Sequence, residues 1–207
     1  SLGGNGTTVP YWRRNPARRY RGYTVSCLNQ PATFDANGNI EVTVDGEGRR
    51  REGYVDIHPY WEPDATATVR ICAIDAQDQE RSPSGTLCAS NAGFNDPGCG
   101  CGPELRLCVA GGYGDNRKVN EAMMEDLDRR IADVIRNGRP YTDIFNGRKA
   151  WVNGPLVHFL KYQADVSRVR MNPLSYDSAR LPDLEWTDYE WRLVDLGSEH
   201  AGVLTSP

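Results

Sequence analysis

The chain has no Cys-x-x-Cys pair and no Cys-x-x-Cys-His run, and its three histidines, His58, His158 and His200, all lie far from any cysteine pair. Covalent haem attachment is thereby excluded, and zinc or iron–sulfur sites lose the closely spaced cysteines from which they are normally built. Gly-x-Ser-x-Gly and His-Glu-x-x-His are also missing, so the sequence spells out neither a nucleophile elbow nor a zinc-peptidase helix. No apolar run approaches the roughly 20 residues that span a bilayer, which predicts no transmembrane helix and at most peripheral attachment to a membrane. A net charge of −4 argues against general nucleic-acid binding, which rests on clustered Lys and Arg.

What the sequence does have is loop formers and cysteine. Its 21 glycines, 13 prolines and hydrophobic fraction of 39% imply a thin core among many turns. Cys27, Cys72, Cys88, Cys99, Cys101 and Cys108 are even in number, so all can pair, with the connectivity left open. The rival is a metal site on Cys99, Cys101 and Cys108. Spacings of 44, 15, 10, 1 and 6 intervening residues fit no usual four-ligand pattern, and disulfides are the preferred reading, with no cofactor expected. Disulfides persist outside the reducing cytosol, which points to a periplasmic or extracellular setting. The opening Ser1-Leu2-Gly3-Gly4-Asn5-Gly6, without Met or an apolar signal core, is what a mature end left by export processing looks like.

Residues 1–24 read as an extended basic and aromatic arm. Tyr11, Trp12, Arg13, Arg14, Arg18, Arg19 and Tyr20 form the Arg–aromatic mixture enriched where one protein anchors on another, and they are the candidate partner-binding residues. From about 39 to 76 the period is two, with Ile40, Val42 and Val44, then Val55 and Ile57, then Val69 and Ile71. Turn residues separate these runs and predict an antiparallel meander, with Cys72 placed to bridge to Cys27 or Cys88. Residues 77–116 are a long loop holding four cysteines and one short strand candidate, Leu105 to Val109; bridges would order it. A helix follows Asp115, a candidate N-cap, with Val119, Met123, Leu127, Ile131, Val134 and Ile135 inward and Asn137-Gly138 as its stop. Asp126 and Arg130 fall on its polar face at the i,i+4 spacing. Further helical turns are expected over 140–145 and 155–162, with an irregular stretch beyond 164 and a strand at Trp191 to Val194. The fold class is therefore α+β, disulfide-stapled and loop-rich, with an arm over 1–24, a β domain over 25–116 and a helical region over 117–207.

Two weaker patterns carry chemistry. Asp35, Asn37, Asn39 and Glu41 alternate like the first half of a calcium loop, but Ile40 stands where glycine is needed and Gly46 where the closing Glu belongs, so a hairpin turn is the better reading. Asp56, Glu62 and Asp75 near Tyr60 and Trp61 are the best carboxylate group for carbohydrate chemistry, since aromatic faces stack on sugars.

Arg136-Asn137-Gly138-Arg139-Pro140-Tyr141-Thr142-Asp143-Ile144-Phe145, Trp151-Val152-Asn153-Gly154-Pro155-Leu156-Val157-His158-Phe159 and the terminal His200-Ala201-Gly202-Val203-Leu204-Thr205-Ser206-Pro207 carry a resemblance. Residues 117–207 resemble uncharacterised domains of large exported proteins from planctomycetes, myxobacteria and related bacteria, often associated with cytochrome-c-like modules. The resemblance implies an exported setting near electron-transfer proteins and supplies no catalytic residues. The expected function is a non-catalytic accessory module bound to protein partners in a larger, membrane-bound, electron-transfer assembly of the cell envelope. The alternative is a carbohydrate-binding or carbohydrate-processing domain.

Overall fold

A computed structural model of the chain describes residues 19–20, 23–90, 92–93, 96, 98–112, 115–166 and 176–202. The arm residues Tyr11, Trp12, Arg13, Arg14 and Arg18 lie outside the described residues. The chain divides into two compact units, Ser1–Gly114 and Asp115–Pro207. Strands and helices together make an α+β protein, and no described helix is long and apolar enough to cross a membrane.

The first unit is built on a sheet. Strands β1 (Arg19–Tyr20), β2 (Tyr23–Pro31), β3 (Thr43–Val44), β4 (Arg50–Ile57) and β5 (Val69–Cys72) run in the order β1-β2-β4-β3, with β5 also on β4. Arg19 and Tyr20 thus form a short strand that pairs antiparallel with Tyr23 and Thr24. β3, β4 and β5 pair antiparallel, as the alternation predicts. β2 differs, pairing parallel to β4 with Cys27 opposite Glu52. A parallel neighbour needs a crossover of a dozen or more residues, and the stretch between β2 and β4 is long enough to supply one. Within it Ile40 is a single bridge to Phe34, so the expected strand over 40–44 shrinks to Thr43–Val44.

Three disulfides use all six cysteines: Cys27–Cys72, Cys88–Cys99 and Cys101–Cys108. The first ties β2 to β5, two of the strands paired with β4, with Cα atoms 5.8 Å apart. The other two close short loops within the glycine-rich stretch after β5. On loop-closure entropy, the 45-residue separation of Cys27–Cys72 makes it the strongest staple, about 4 kcal/mol, against about 2–3 kcal/mol for each short one. Three disulfides are consistent with an exported protein.

The strand expected at 105–109 is instead a 3-10 turn over Pro103–Leu105 followed by a bend. The Cys101–Cys108 bridge spans only 7 residues and holds this segment in a closed loop. Leu105 sits there at φ 63 and is fully buried with Ile71, Cys101 and Cys108, with Trp61 packed against them. A left-handed leucine costs roughly 1–2 kcal/mol, and burying its side chain returns about 1.5–3 kcal/mol, so the conformation holds.

The second unit starts with helix α1 (Asn116–Arg136), then α2 (Asp143–Asn146), β6 (Lys149–Val152), α3 (Gly154–His158) running into a π-helical turn (Phe159–Gln163), and β7 (Arg192–Asp195). β6 and β7 form an antiparallel ribbon in which Trp151 faces Leu193. Asn153 caps α3 by accepting a hydrogen bond from Leu156 N, with Pro155 in the first turn, where its missing N–H costs nothing. Gly154 between them has no alternative: a Cβ there would lie 2.1 Å from Glu185 O. Leu156, Phe159 and Leu160 are buried as expected.

Helix α1 buries a stripe that shares Val119 and Val134 with the expected one and otherwise differs from it. Its buried residues are Val119, Ala122, Asp126, Arg130 and Val134, whereas Ile135 is 71% exposed and Met123, Leu127 and Ile131 are half-buried. Asp115 makes no capping hydrogen bond and pairs with Lys118 at 3.1 Å.

Candidate functional site

Four polar clusters were open to a chemical role, and all four prove to be structural. Asp35 Oδ1 accepts from the backbone N–H groups of Asn37 and Asn39, and both of its oxygens accept from Asn39 Nδ2. The alternating oxygens are therefore a side-chain-closed turn. Asp45 plays the same part in the next hairpin, accepting from Glu47 and Arg49 N–H and from the Arg49 and Arg51 side chains. Burial works against its charge, but those hydrogen bonds hold the carboxyl well below its ordinary value. Asp96 accepts from Gly98 N, Ser82 Oγ and Ser84 Oγ and fastens the segment closed by Cys88–Cys99.

The Cys-Gly-Cys run has a backbone explanation. Gly100 lies against residues 75–77, where a Cβ would come within 2.2 Å of Gln77 O, and Cys101 N donates to Asp75 O at 2.7 Å. Among the described residues the one trio with metal-ligand chemistry is Cys27, Glu52 and Cys72, whose ligand atoms lie within 4.8 Å of one another. The two sulfurs are bonded to each other and offer no thiolate, and Glu52 Oε2 accepts from Ile74 N. Glu52 is a buried strut of the sheet.

The carboxylates read as a carbohydrate group each have surroundings of their own. Asp56 pairs with Arg70 across β4 and β5, Glu62 receives Asp64 N, and Asp75 is buried. Trp61 and Tyr60 meet edge to face at 4.9 Å, with Trp61 spent on packing. The three histidines occupy separate environments. His58 is half-buried just beyond β4. His158 is held by Leu184 O at 2.8 Å, so Nε2 carries the proton, and Tyr162 and Trp186 present ring edges or faces to it. Burial lowers its pKa.

His200 belongs to the fourth cluster, which the sequence did not announce. Arg130 Nη2 donates to Asp126 Oδ2 at 2.5 Å, with each side chain 8% exposed. Asp126 Oδ1 accepts from Trp151 N at 2.7 Å, which fixes β6 on the helix. Burial pushes the Asp126 carboxyl upward, against the pull of Arg130. Arg130 Nη1 lies 3.5 Å from His200 Nε2, and burial, then the charge on Arg130, bring that histidine down to about 4. Asp126 and His200 share a small pocket with Met123, Leu156, Leu160 and Tyr176, whose hydroxyl donates to Leu160 O. An ion pair, an imidazole and an apolar wall are packed together here.

Beside this buried stripe of α1 runs an outer one that does face solvent. Arg129 lies 3.0 Å from Glu125, and its guanidinium stands 4.7 Å from the Trp191 ring centre and 5.9 Å from that of Trp151. Leu193, opposite Trp151 in the ribbon, is 40% exposed, and Tyr189, bonded to Lys118 Nζ at 2.8 Å, is 47% exposed. Sequence reasoning sought this composition in the arm and missed it here, because Arg129, Trp151 and Trp191 meet only in space. The i,i+4 pairing of Glu125 with Arg129 was the one legible signal. No family model, curated protein or solved structure matches the chain.

Proposed function

We propose that the chain is a non-catalytic extracytoplasmic interaction module, an accessory subunit that attaches to a protein partner in a larger membrane-bound assembly of the cell envelope. The observation that carries this reading is the Arg129 face. Trp, Tyr and Arg dominate interface hot spots, and a guanidinium already held by Glu125 over two indole rings loses little freedom when a partner covers it. Exposed Leu193 and Tyr189 beside it supply apolar area to be buried. The disulfides support an oxidising compartment, periplasmic or extracellular. The resemblance of residues 117–207 to exported proteins associated with cytochrome-c-like modules favours an electron-transfer assembly. The basic arm, Tyr11 to Tyr20, is a second contact in this reading.

The test is site-specific photocrosslinking in the native envelope. A crosslinker at Leu193 is expected to capture one discrete protein species, and Arg129→Ala is expected to reduce that yield about tenfold or more. The same crosslinker at exposed Arg136 is the control. No adduct from Leu193, or adducts indifferent to Arg129→Ala, contradicts the assignment.

A further inference from the structure

The first unit carries a cleft that the docking role leaves unused. It has a volume of about 530 Å³, within the roughly 300–1,000 Å³ usual for small-ligand sites. Its lining includes the apolar residues Ile40, Val55 and Ile57. Phe34 stands among its lining residues with 49% of its surface exposed. Both walls are covalently or hydrogen-bond braced: the Phe34–Ile40 bridge is closed by the Asp35 turn, and the opposite segment is held by the Arg81–Leu87 bridge and the Cys88–Cys99 disulfide.

The polar groups on the lining are fixed in advance. Gln77 Nε2 donates to Ile74 O at 2.8 Å, and Gln79 Nε2 donates both to Gln77 Oε1 at 3.1 Å and to Gly98 O. Gln79 Oε1 has no donor among the described residues and is left to accept. Asn39 gives its amide N–H groups to Asp35, which likewise leaves its carbonyl oxygen. Arg81 uses Nη1 on Gly85 O and keeps its other N–H donors, while Asp78 is exposed. The cleft thus offers acceptors and donors together, with one carboxylate against one guanidinium.

We infer that this cleft binds a neutral oligosaccharide. Hydroxyl groups both donate and accept, so they satisfy such a mixed rim, whereas an anion would meet three acceptor side chains and a cation would meet Arg81. The C–H faces of a sugar ring suit the apolar part of the lining, and a half-exposed phenyl ring is a platform on which they stack. The amides are locked before the ligand arrives, which removes ordering cost from binding. This site uses residues other than the Tyr60 and Trp61 group, and its polar atoms remain available.

The experiment is titration calorimetry on the oxidised full chain, with cellohexaose, mannohexaose and chitohexaose as neutral probes, hexagalacturonate as the acidic probe and uncharged hexapeptides as the peptide probe. At least one neutral oligosaccharide is expected to bind, about tenfold more weakly in Phe34→Ala and in Arg81→Ala, with Phe34→Trp retaining affinity. Arg81 is exposed, so its variant keeps the test meaningful if Phe34→Ala unfolds. Absence of binding by all three neutral probes, preference for the acidic or peptide probes, or affinity unchanged in both alanine variants overturns the inference.

Discussion

Asp126, Arg130 and His200 show how far a residue's role depends on what packs over it. On the helix alone, Asp126 and Arg130 are an ordinary i,i+4 pair worth a few tenths of a kcal/mol. Buried, with Trp151 N and His200 as further partners, the pair becomes one whose two halves depend on each other. Asp126→Ala leaves a buried guanidinium uncompensated and is expected to cost about 3–5 kcal/mol in denaturant unfolding. A loss under 1 kcal/mol would show that the pair contributes no more than a surface one.

His200 gives this cluster a pH signature. Its folded pKa, about 4, lies below the ordinary 6.5. The unfolded chain therefore takes up the proton first as the pH falls. The stabilisation from the neutral imidazole is complete above pH 6.5 and is lost as the pH drops from 6.5 towards 4, by roughly 2–3 kcal/mol. Arg130 facing the ring lowers its pKa and Asp195 opposes that effect. The melting temperature of His200→Gln should vary less with pH across this window than that of the native chain; identical slopes would remove His200 as the cause.

At the scale of elements, helix α1 exposes the limit of reading apolar periodicity. Its length and stop were legible from Val119 to Gly138, but its buried face was placed on Ile135, which is solvent-exposed, because a paired Asp and Arg were counted as polar surface. Ile135→Glu is accordingly expected to change stability by less than about 0.5 kcal/mol, a result that thermal melts would check. The sheet divides in the same way. β4 and β5 were visible as alternation at Val55, Ile57, Val69 and Ile71. β2 was overlooked although Val25 and Cys27, both fully buried, alternate too, and its parallel pairing depends on a partner more than twenty residues away that no local pattern encodes. Gly154 was readable only as a turn residue. Its contact with Glu185 O is long-range, and Gly154→Ala should cost roughly 2 kcal/mol or more by forcing the 185–188 turn away, measurable by equilibrium unfolding.

Over the whole molecule, covalent and non-covalent support are divided between the two units. All six cysteines fall before Gly114, and the second unit is held by its own core and by the Asp126–Arg130 cluster. Reduction should therefore abolish protection of amide hydrogens in the β4 and β5 strands while leaving α1 protected; loss of both together would mean that the second unit depends on the staples. The cleft rests on this arrangement, since it needs the walls that the bridges brace. The disulfide framework is thus the claim on which the cleft and the compartment depend, and peptide mapping of the unreduced chain taken from its native cells, alkylated during denaturation, tests it most directly. The account predicts no alkylated cysteine and three linkages, Cys27–Cys72, Cys88–Cys99 and Cys101–Cys108, the last two sharing the peptide that holds Cys99 and Cys101. Free thiols at these positions, or a different pairing, would contradict it.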